Sequence, residues 1–347
     1  MKEGFPKKLP LRGGRMDFRL VGEGFSLRVQ GRKNGKPSSY FPLTSLYFVL
    51  ICYHLEIAVM RIIDSKIKHL INLALSEDIG KKDLTSEAVV ENKLTGRAII
   101  LARQEGTIAG LPVAKMVFQM VNPAVVFRLL KQDGERIKKG EKVALVQGKV
   151  KSILSAERTA LNFLQRLSGI ATLTARYVEA IKGTQAKILD TRKTTPGLRA
   201  LEKYAVKAGG GENHRMGLFD MILIKENHIK ASGGISNAIK RARSKYRTEK
   251  IEVEVRNLSE VKEAIRSGSA GSLGPDWIML DNMKIQQMKE AVTMIRSINP
   301  NIKIEASGGI NLRNVKKIAL TGVDFISVGA LTHSAPALDV SLILIEP

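Results

Sequence analysis

From Met60 to the C-terminus the apolar positions follow two rhythms. Ile62, Ile63, Ile67, Leu70, Ile71 and Leu75 recur at helical spacing and predict an amphipathic helix beginning near Met60. Shorter apolar runs broken by turn residues come next. Residues 97–104 read as a strand, Gly106 and Gly110 bracket 107–109, and Asp133-Gly134 and Lys139-Gly140 punctuate a meander ending in 143–146. An α+β domain with a sandwich-like layer is therefore expected over 60–157. The Asp-Gly spacing also occurs in swinging-arm carrier hairpins, but no lysine sits at a tight turn flanked by methionines, which argues against a carrier. A long amphipathic helix then carries Leu161, Leu164, Leu167, Ile170, Leu173 and Tyr177 on one face, with Ser168-Gly169 expected to interrupt it.

The second rhythm is a repeat. Six short β-type runs, 186–190, 221–225, 251–255, 277–281, 302–306 and 324–328, start 35, 30, 26, 25 and 22 residues apart, with helical sequence between most of them. Alternating strand and helix at this spacing predicts a parallel sheet. Polar residues stand where each apolar run ends: Asp190, Thr191, Arg192 and Lys193, then Lys225, Glu254 and Arg256, Asp281, Ser307-Gly308-Gly309, and Gly329. That is the pattern of an α/β barrel whose site lies at the C-terminal mouth of its strands. An open doubly wound sheet also binds ligands there, but no Gly-x-Gly-x-x-Gly turn follows a first strand, so the barrel is preferred.

The first 59 residues differ from the rest. They are rich in Gly, Pro and basic residues up to Pro37, then apolar from Tyr40 to Met60. The apolar centre, 45–53, is about nine residues, well short of the roughly 20 that span a bilayer. A secretory signal is also excluded, since the charged leader is long and no small-residue cleavage site follows. Met60 reads as the biological start and 1–59 as upstream over-translation; the other reading is a genuine, weakly ordered extension. The single cysteine, Cys52, excludes an internal disulfide framework and fits a reducing, cytoplasmic setting.

The net charge of +23 admits nucleic acid, an anionic membrane or an anionic small substrate as partner. Ten Phe, six Tyr and one Trp supply little for a stacking platform on single-stranded nucleic acid. The basic run Lys240, Arg241, Arg243, Lys245, Arg247 and Lys250 reads as a solvated surface. Charge is more telling at the strand ends. Arg192, Lys193, His214, Arg215 and Lys225 aim at one mouth, and burying them unpaired would cost several kcal/mol each. Either acids neutralise them or the ligand is strongly anionic. Glu254 and Asp281 could do part of the neutralising, or could hold a divalent ion that arrives with a pyrophosphate. Ser307-Gly308-Gly309 before the helical stretch 312–320, with Gly329 and His333 at the last strand, reads as a phosphate site of the kind barrels build from their last two loops.

Ordered motifs carry a family resemblance: Ala156-Glu157-Arg158-Thr159-Ala160-Leu161-Asn162, Ser168-Gly169-Ile170-Ala171-Thr172, Asp190-Thr191-Arg192-Lys193-Thr194, Gly209-Gly210-Gly211-Glu212-Asn213-His214-Arg215, Met279-Leu280-Asp281-Asn282 and Gly329-Ala330-Leu331-Thr332-His333-Ser334. From about Met60 to the end the chain resembles the quinolinate phosphoribosyltransferases. The resemblance implies a small N-terminal domain, an incomplete, TIM-like α/β barrel over 158–335, and a tail, 336–347, that packs back on the N-terminal domain. It implies transfer of phosphoribosyl from phosphoribosyl pyrophosphate to quinolinate with decarboxylation, in NAD biosynthesis, using Mg2+ and no organic cofactor. A homodimer with shared sites is implied, with Arg158 reaching the quinolinate carboxylates across the interface. Arg192, His214, Arg215 and Lys225 would hold the same dicarboxylate from within the barrel, beside Thr191, and Lys193 would contact pyrophosphate. Glu254 and Asp281 would face the ribose and Mg2+-pyrophosphate, and Ser307, Gly308, Gly329 and His333 would cradle the 5′-phosphate.

Three departures stand out: Lys82 in place of the usual glycine before Asp83, an apparent insertion at 267–275, and the first 59 residues. None touches the proposed site. A paralogous transferase acting on another anionic base is the nearest rival, and a basic nucleic-acid-binding protein is the rival from another class. The strand-end chemistry favours neither nucleic acid nor a membrane as partner.

Overall fold

A computed structural model describes residues 8–11, 14–21, 24–30, 65–268 and 274–346. Cys52, His54, the apolar stretch before Met60 and part of the expected insertion (269–273) lie outside them. The chain divides into two compact units, Met1–Val59 and Met60–Pro347. In the first, β1 (Lys8–Leu11), β2 (Gly14–Val21) and β3 (Gly24–Gln30) form an antiparallel sheet in that order.

The second unit's first described helix is α1 (Ser65–Ile79), which buries Ile67, Ile71 and Leu75 of the predicted face; Ile62, Ile63 and the expected start near Met60 lie outside the described residues. Next is α2 (Leu84–Val89), whose N-cap is Asp83: its carboxylate accepts from the Ser86 N–H at 3.0 Å. Lys82 is thus accommodated in an ordinary turn, since Asn282 is the only non-glycine with positive φ among the described residues. The strands β4 (Thr95–Ala102), β5 (Gly106–Thr107), β6 (Val126–Leu129), β7 (Arg136–Ile137) and β8 (Lys142–Lys149) follow, with α3 (Leu111–Val121) between β5 and β6. Gly134 and Gly140, at φ of 92° and 88°, make the turns on either side of β7.

α4 (Val150–Ala180) runs unbroken through the expected interruption. Ser168 uses its hydroxyl outward, accepting from the Ala109 N–H at 3.0 Å and donating to the Ala109 carbonyl at 3.1 Å. Gly169 is a packing notch: a Cβ there would stand 2.0 Å from the Pro336 carbonyl oxygen. The dipeptide fits the helix tightly to its neighbours rather than ending it.

Beyond α4 come β9 (Lys187–Leu189), α5 (Arg199–Ala208), β10 (Ile222–Ile224), α6 (Glu226–Ser232), α7 (Ile235–Lys245), β11 (Ile251–Val255), α8 (Leu258–Arg266), β12 (Trp277–Asp281), α9 (Ile285–Ile298), β13 (Lys303–Ser307), α10 (Val315–Ala319), β14 (Phe325–Ser327), α11 (Ala330–His333) and β15 (Val340–Glu346). All six predicted strands are present and parallel, in the order β10-β11-β12-β13-β14-β9. β9 and β10 do not pair. The free side of β9 is bridged by Glu212, whose N–H donates to the Ile188 carbonyl at 2.8 Å, leaving an incomplete barrel. The antiparallel sheet β15-β4-β8-β6 forms the other layer, and β15 lies along β4 with Val340 opposite Ala102.

The strand residues alternate between outside and inside. In β11, Ile251, Val253 and Val255 join the apolar core, so Glu252 and Glu254 point inward. Register then places Glu254 beside Met279, Met279 beside Glu305 and Glu305 beside Phe325. The barrel interior therefore sets buried acids among Met279 and the stacked rings of Trp277 and Phe325. Among the described residues no helix is long and apolar enough to cross a membrane.

Candidate active site

The C-terminal ends of the six barrel strands surround a cavity of about 700 Å³. It is lined by Thr191, Arg192, Lys193, His214, Arg215, Lys225, Glu254, Asp281, Ser307, Gly308, Gly329 and His333, which is every site residue expected from the sequence except Arg158. Arg158 stands exposed on α4 and does not line its own chain's cavity.

The five expected cations divide. Lys225 Nζ donates to Glu254 Oε2 at 2.5 Å, and His214 lies between Glu252 and Glu305, its Nε2 2.9 and 3.4 Å from their carboxylates. Arg192, Lys193 and Arg215 have no carboxylate within salt-bridge distance among the described residues. The Nε atoms of both arginines are buried without a hydrogen-bond partner. Burial, and then the charge of Arg192, pushes Arg215 below its ordinary range. Such crowding of like charge is costly unless an anion enters.

The opposite flank is acidic and internally linked. Arg256 pairs with Glu226 at 2.6 Å and lies 3.9 Å from both Glu254 and Asp281. Burial raises Asp281, and the charge of Glu254 raises it further. Oxygen donors in this state suit a hard divalent cation.

The glycine loops behave differently from one another. Gly308 and Gly309 have φ of 90° and 62°, and a Cβ on Gly308 would stand 2.8 Å from Asn282 N. The expected helix at 312–320 contracts to α10, because Asn314 Oδ1 accepts from the Asn311 N–H and shapes a turn first. Gly329 is ordinary in φ but tightly approached: a Cβ would lie 3.1 Å from His333 Nε2 and 3.2 Å from Lys193 Cδ. Thr332 donates its hydroxyl to the Lys193 carbonyl at 2.7 Å, which ties the first and last loops together. Arg166 extends the tie from α4: it donates to Glu202, to the Thr332 carbonyl and, at 3.1 Å, to the Ala335 carbonyl. Glu202, wholly buried, also accepts from the Thr195 N–H at 3.0 Å.

Sequence reasoning missed Glu252 and Glu305. Both are wholly buried, and Glu305 lines the cavity. The signal was available in the period-two pattern of β11 and β13: if Glu254 and Ser307 face the mouth, Glu252 and Glu305 share their side. Burial acts to lower His214, but hydrogen bonds and charge from the two acids outweigh it and pull the ring up to about 10. The Arg215 main-chain N–H opposes this, since it donates to His214 Nδ1 at 2.8 Å and only an unprotonated nitrogen can accept it. The same proton has another home, because burial and then the charge of Glu305 raise Glu252 to about 7. We assign the ring as neutral, with its hydrogen on Nε2 toward Glu252 Oε2. The three groups are close enough to surround a metal ion. However, a neutral imidazole bound through Nε2 would carry its hydrogen on Nδ1, against the Arg215 N–H, so the cluster is a poor metal site.

A barrel mouth that sets unpaired arginines against paired acids defines a site for a multiply anionic substrate. The sequence pattern described as quinolinate phosphoribosyl transferase, N-terminal domain, matches residues 83–168, and that of the C-terminal domain matches 170–343. A tobacco (Nicotiana tabacum) protein named quinolinate phosphoribosyltransferase [decarboxylating] 1b is 45% identical over 290 residues, 80% of this chain and 81% of that one. A chloroplastic nicotinate-nucleotide pyrophosphorylase [carboxylating] of Arabidopsis thaliana is 45% identical over 291 residues, 80% of this chain and 82% of that one. Among solved structures, NadC from Streptococcus pyogenes superimposes with a TM-score of 0.76 at 40% identity, covering 81% of this chain and 97% of that one. The chain belongs to the quinolinate phosphoribosyltransferase family.

Proposed function

We propose that the protein transfers phosphoribosyl from phosphoribosyl pyrophosphate to quinolinate, with loss of CO2, to give nicotinate mononucleotide and pyrophosphate for NAD synthesis. The observation that carries this reading is the divided cavity, with Arg192, Lys193 and Arg215 unpaired on one flank and Glu254 and Asp281 on the other. Two adjacent arginine forks match two adjacent carboxylates, and Lys193, beside Gly329, is a point charge suited to phosphate.

In this mechanism the ring nitrogen attacks C1 of the ribose as pyrophosphate leaves, through an oxocarbenium-like state. Glu254 and Asp281 favour the cationic sugar, and Lys193 takes up charge growing on the leaving group. Once bonded to ribose, the ring is a pyridinium. It accepts the electron pair released when the C2–carboxylate bond breaks, and C2 takes up one proton. Glu254 and Asp281 would also hold the Mg2+ that accompanies pyrophosphate, which supplies charge neutralisation there. Ser307, Gly308, Gly329 and His333 cradle the 5′-phosphate, and Thr191, Lys225 and Arg192 border the dicarboxylate. The arginines bind quinolinate more than they hasten its decarboxylation, because they stabilise the carboxylate that must leave.

The same proposal includes a homodimer in which Arg158 of the partner subunit completes the dicarboxylate site; its support is the exposure of Arg158 on α4. The working parts lie within residues 60–335 in this reading, and 1–59 are not required. A cytoplasmic setting is supported by the single cysteine of the sequence. The test is an incubation with quinolinate, phosphoribosyl pyrophosphate and Mg2+, assayed for CO2 and nicotinate mononucleotide, beside tubes containing nicotinate. Product from quinolinate alone is expected. Product from nicotinate alone, or none from folded dimer, would replace quinolinate with another base.

A further inference from the structure

His214 has no hydrogen-bonding group left for a ligand. Its main-chain N–H donates to Asp190 Oδ1 at 2.9 Å, and its carbonyl accepts from Lys203 Nζ at 2.9 Å. Asp190 and Lys203 are themselves a wholly buried ion pair. The ring is held as firmly. Nδ1 accepts from the Arg215 N–H at 2.8 Å, Nε2 faces Glu252 Oε2 at 2.9 Å, and the edge of Trp277 lies 6.3 Å away between ring centroids. The next residue is the one with work to do in the cavity. Arg215 is fixed through its N–H to His214 and through one guanidinium nitrogen to the Met221 carbonyl at 3.0 Å, while its Nε remains unpartnered.

We propose that Glu252 and Glu305 are positioning residues: they hold His214 with its hydrogen on Nε2, and His214 in turn fixes Arg215 for the substrate carboxylate. His214 is then a strut, not a substrate contact. The chemistry explains why two acids lie so deep beneath a site for an anion. An acceptor at Nε2 selects the tautomer whose Nδ1 can take the Arg215 N–H, and the opposite tautomer would set two hydrogens against each other. Glu305, 3.4 Å from Nε2, is the reserve acceptor.

This inference rests on the functional reading above only for its kinetic half; the tautomer is independent of it. In ¹⁵N-histidine NMR of the wild-type enzyme, with the His214→Gln spectrum assigning the signal, Nδ1 is expected bare and Nε2 protonated at neutral pH. Glu252→Leu is expected to raise KM for quinolinate about tenfold, and the Glu252→Leu/Glu305→Leu double variant about a hundredfold. kcat and KM for phosphoribosyl pyrophosphate should stay within about threefold, since neither acid is placed on the sugar. Glu252→Gln, which retains an acceptor oxygen, should recover most of the loss. An imidazolium or an Nδ1–H ring in the wild type overturns the proposal even if the leucine variants do not fold. Equal losses in both substrates' KM, or no rescue by glutamine, overturn it as well. A wild-type enzyme inert toward quinolinate would instead dispose of the functional reading and leave the tautomer result standing.

Discussion

The two flanks of the cavity hold charge in opposite ways. On the acidic flank every charge is answered inside the chain: Lys225 by Glu254, and Arg256 by Glu226 with Glu254 and Asp281 close by. On the basic flank Arg192 and Arg215 keep buried Nε atoms without partners, and Lys193, whose charge acts on Asp281, has no carboxylate within salt-bridge distance among the described residues. The two partly buried guanidiniums each leave an Nε without a partner, a desolvation cost that an entering anion would offset. In the proposed reaction the paired flank would exchange partners as charge moves, and the unpaired flank would take the anions that the substrate brings.

The largest effect should come from the unpaired side. Arg192→Ala or Arg215→Ala is expected to lower kcat/KM for quinolinate by about 10³-fold, since each removes a charged fork whose bonds contribute about 1.5–3 kcal/mol apiece. The KM for phosphoribosyl pyrophosphate should change little, and steady-state kinetics with each substrate varied in turn checks it. A comparable loss on both substrates would erase the distinction between the flanks. Asp281→Asn is expected next, lowering kcat about 10²-fold with quinolinate KM nearly unchanged. Rate measurements across a Mg2+ series should also show a raised metal requirement.

Gly329→Ala should act more locally. Its methyl would press on His333 and Lys193. An increase of about tenfold in KM for phosphoribosyl pyrophosphate, with quinolinate unaffected, is the expected kinetic outcome. The smallest effect on catalysis, and a useful control, is Tyr204→Phe. Tyr204 donates to Asp133 at 2.6 Å, and that carboxylate also accepts from the Gly110 N–H at 2.7 Å, joining α5 to the start of α3. Thermal or urea unfolding should show a loss of about 1–2 kcal/mol with activity per folded molecule intact.

Much of this was legible in the sequence because strands of a barrel announce themselves at both ends. β11 and β12 match their predicted bounds, and β13 is offset by one residue, since apolar runs stop where polar cavity residues begin. The residues that line the cavity were legible for the same reason. What could not be read was pairing across distance. Nothing local marks Glu252 and Glu305 as neighbours of His214; β11 and β13 have to be placed on either side of β12 first. Ser168-Gly169 misled because its cause lies elsewhere: the main chain at Pro336 needs the space that a side chain would fill. The turn that shortens α10 is equally hidden, since Asn311 and Asn314 act on each other rather than on a helical pattern.

The central claim is that the unpaired basic flank is a dicarboxylate site. Calorimetric titration with benzene-1,2-dicarboxylate, which retains both carboxylates and lacks the attacking nitrogen, tests it without any turnover. Saturable binding to the wild type is expected, lost in Arg192→Ala and Arg215→Ala and much weaker with benzoate. Equal affinity for benzoate, or binding that survives both substitutions, would contradict it.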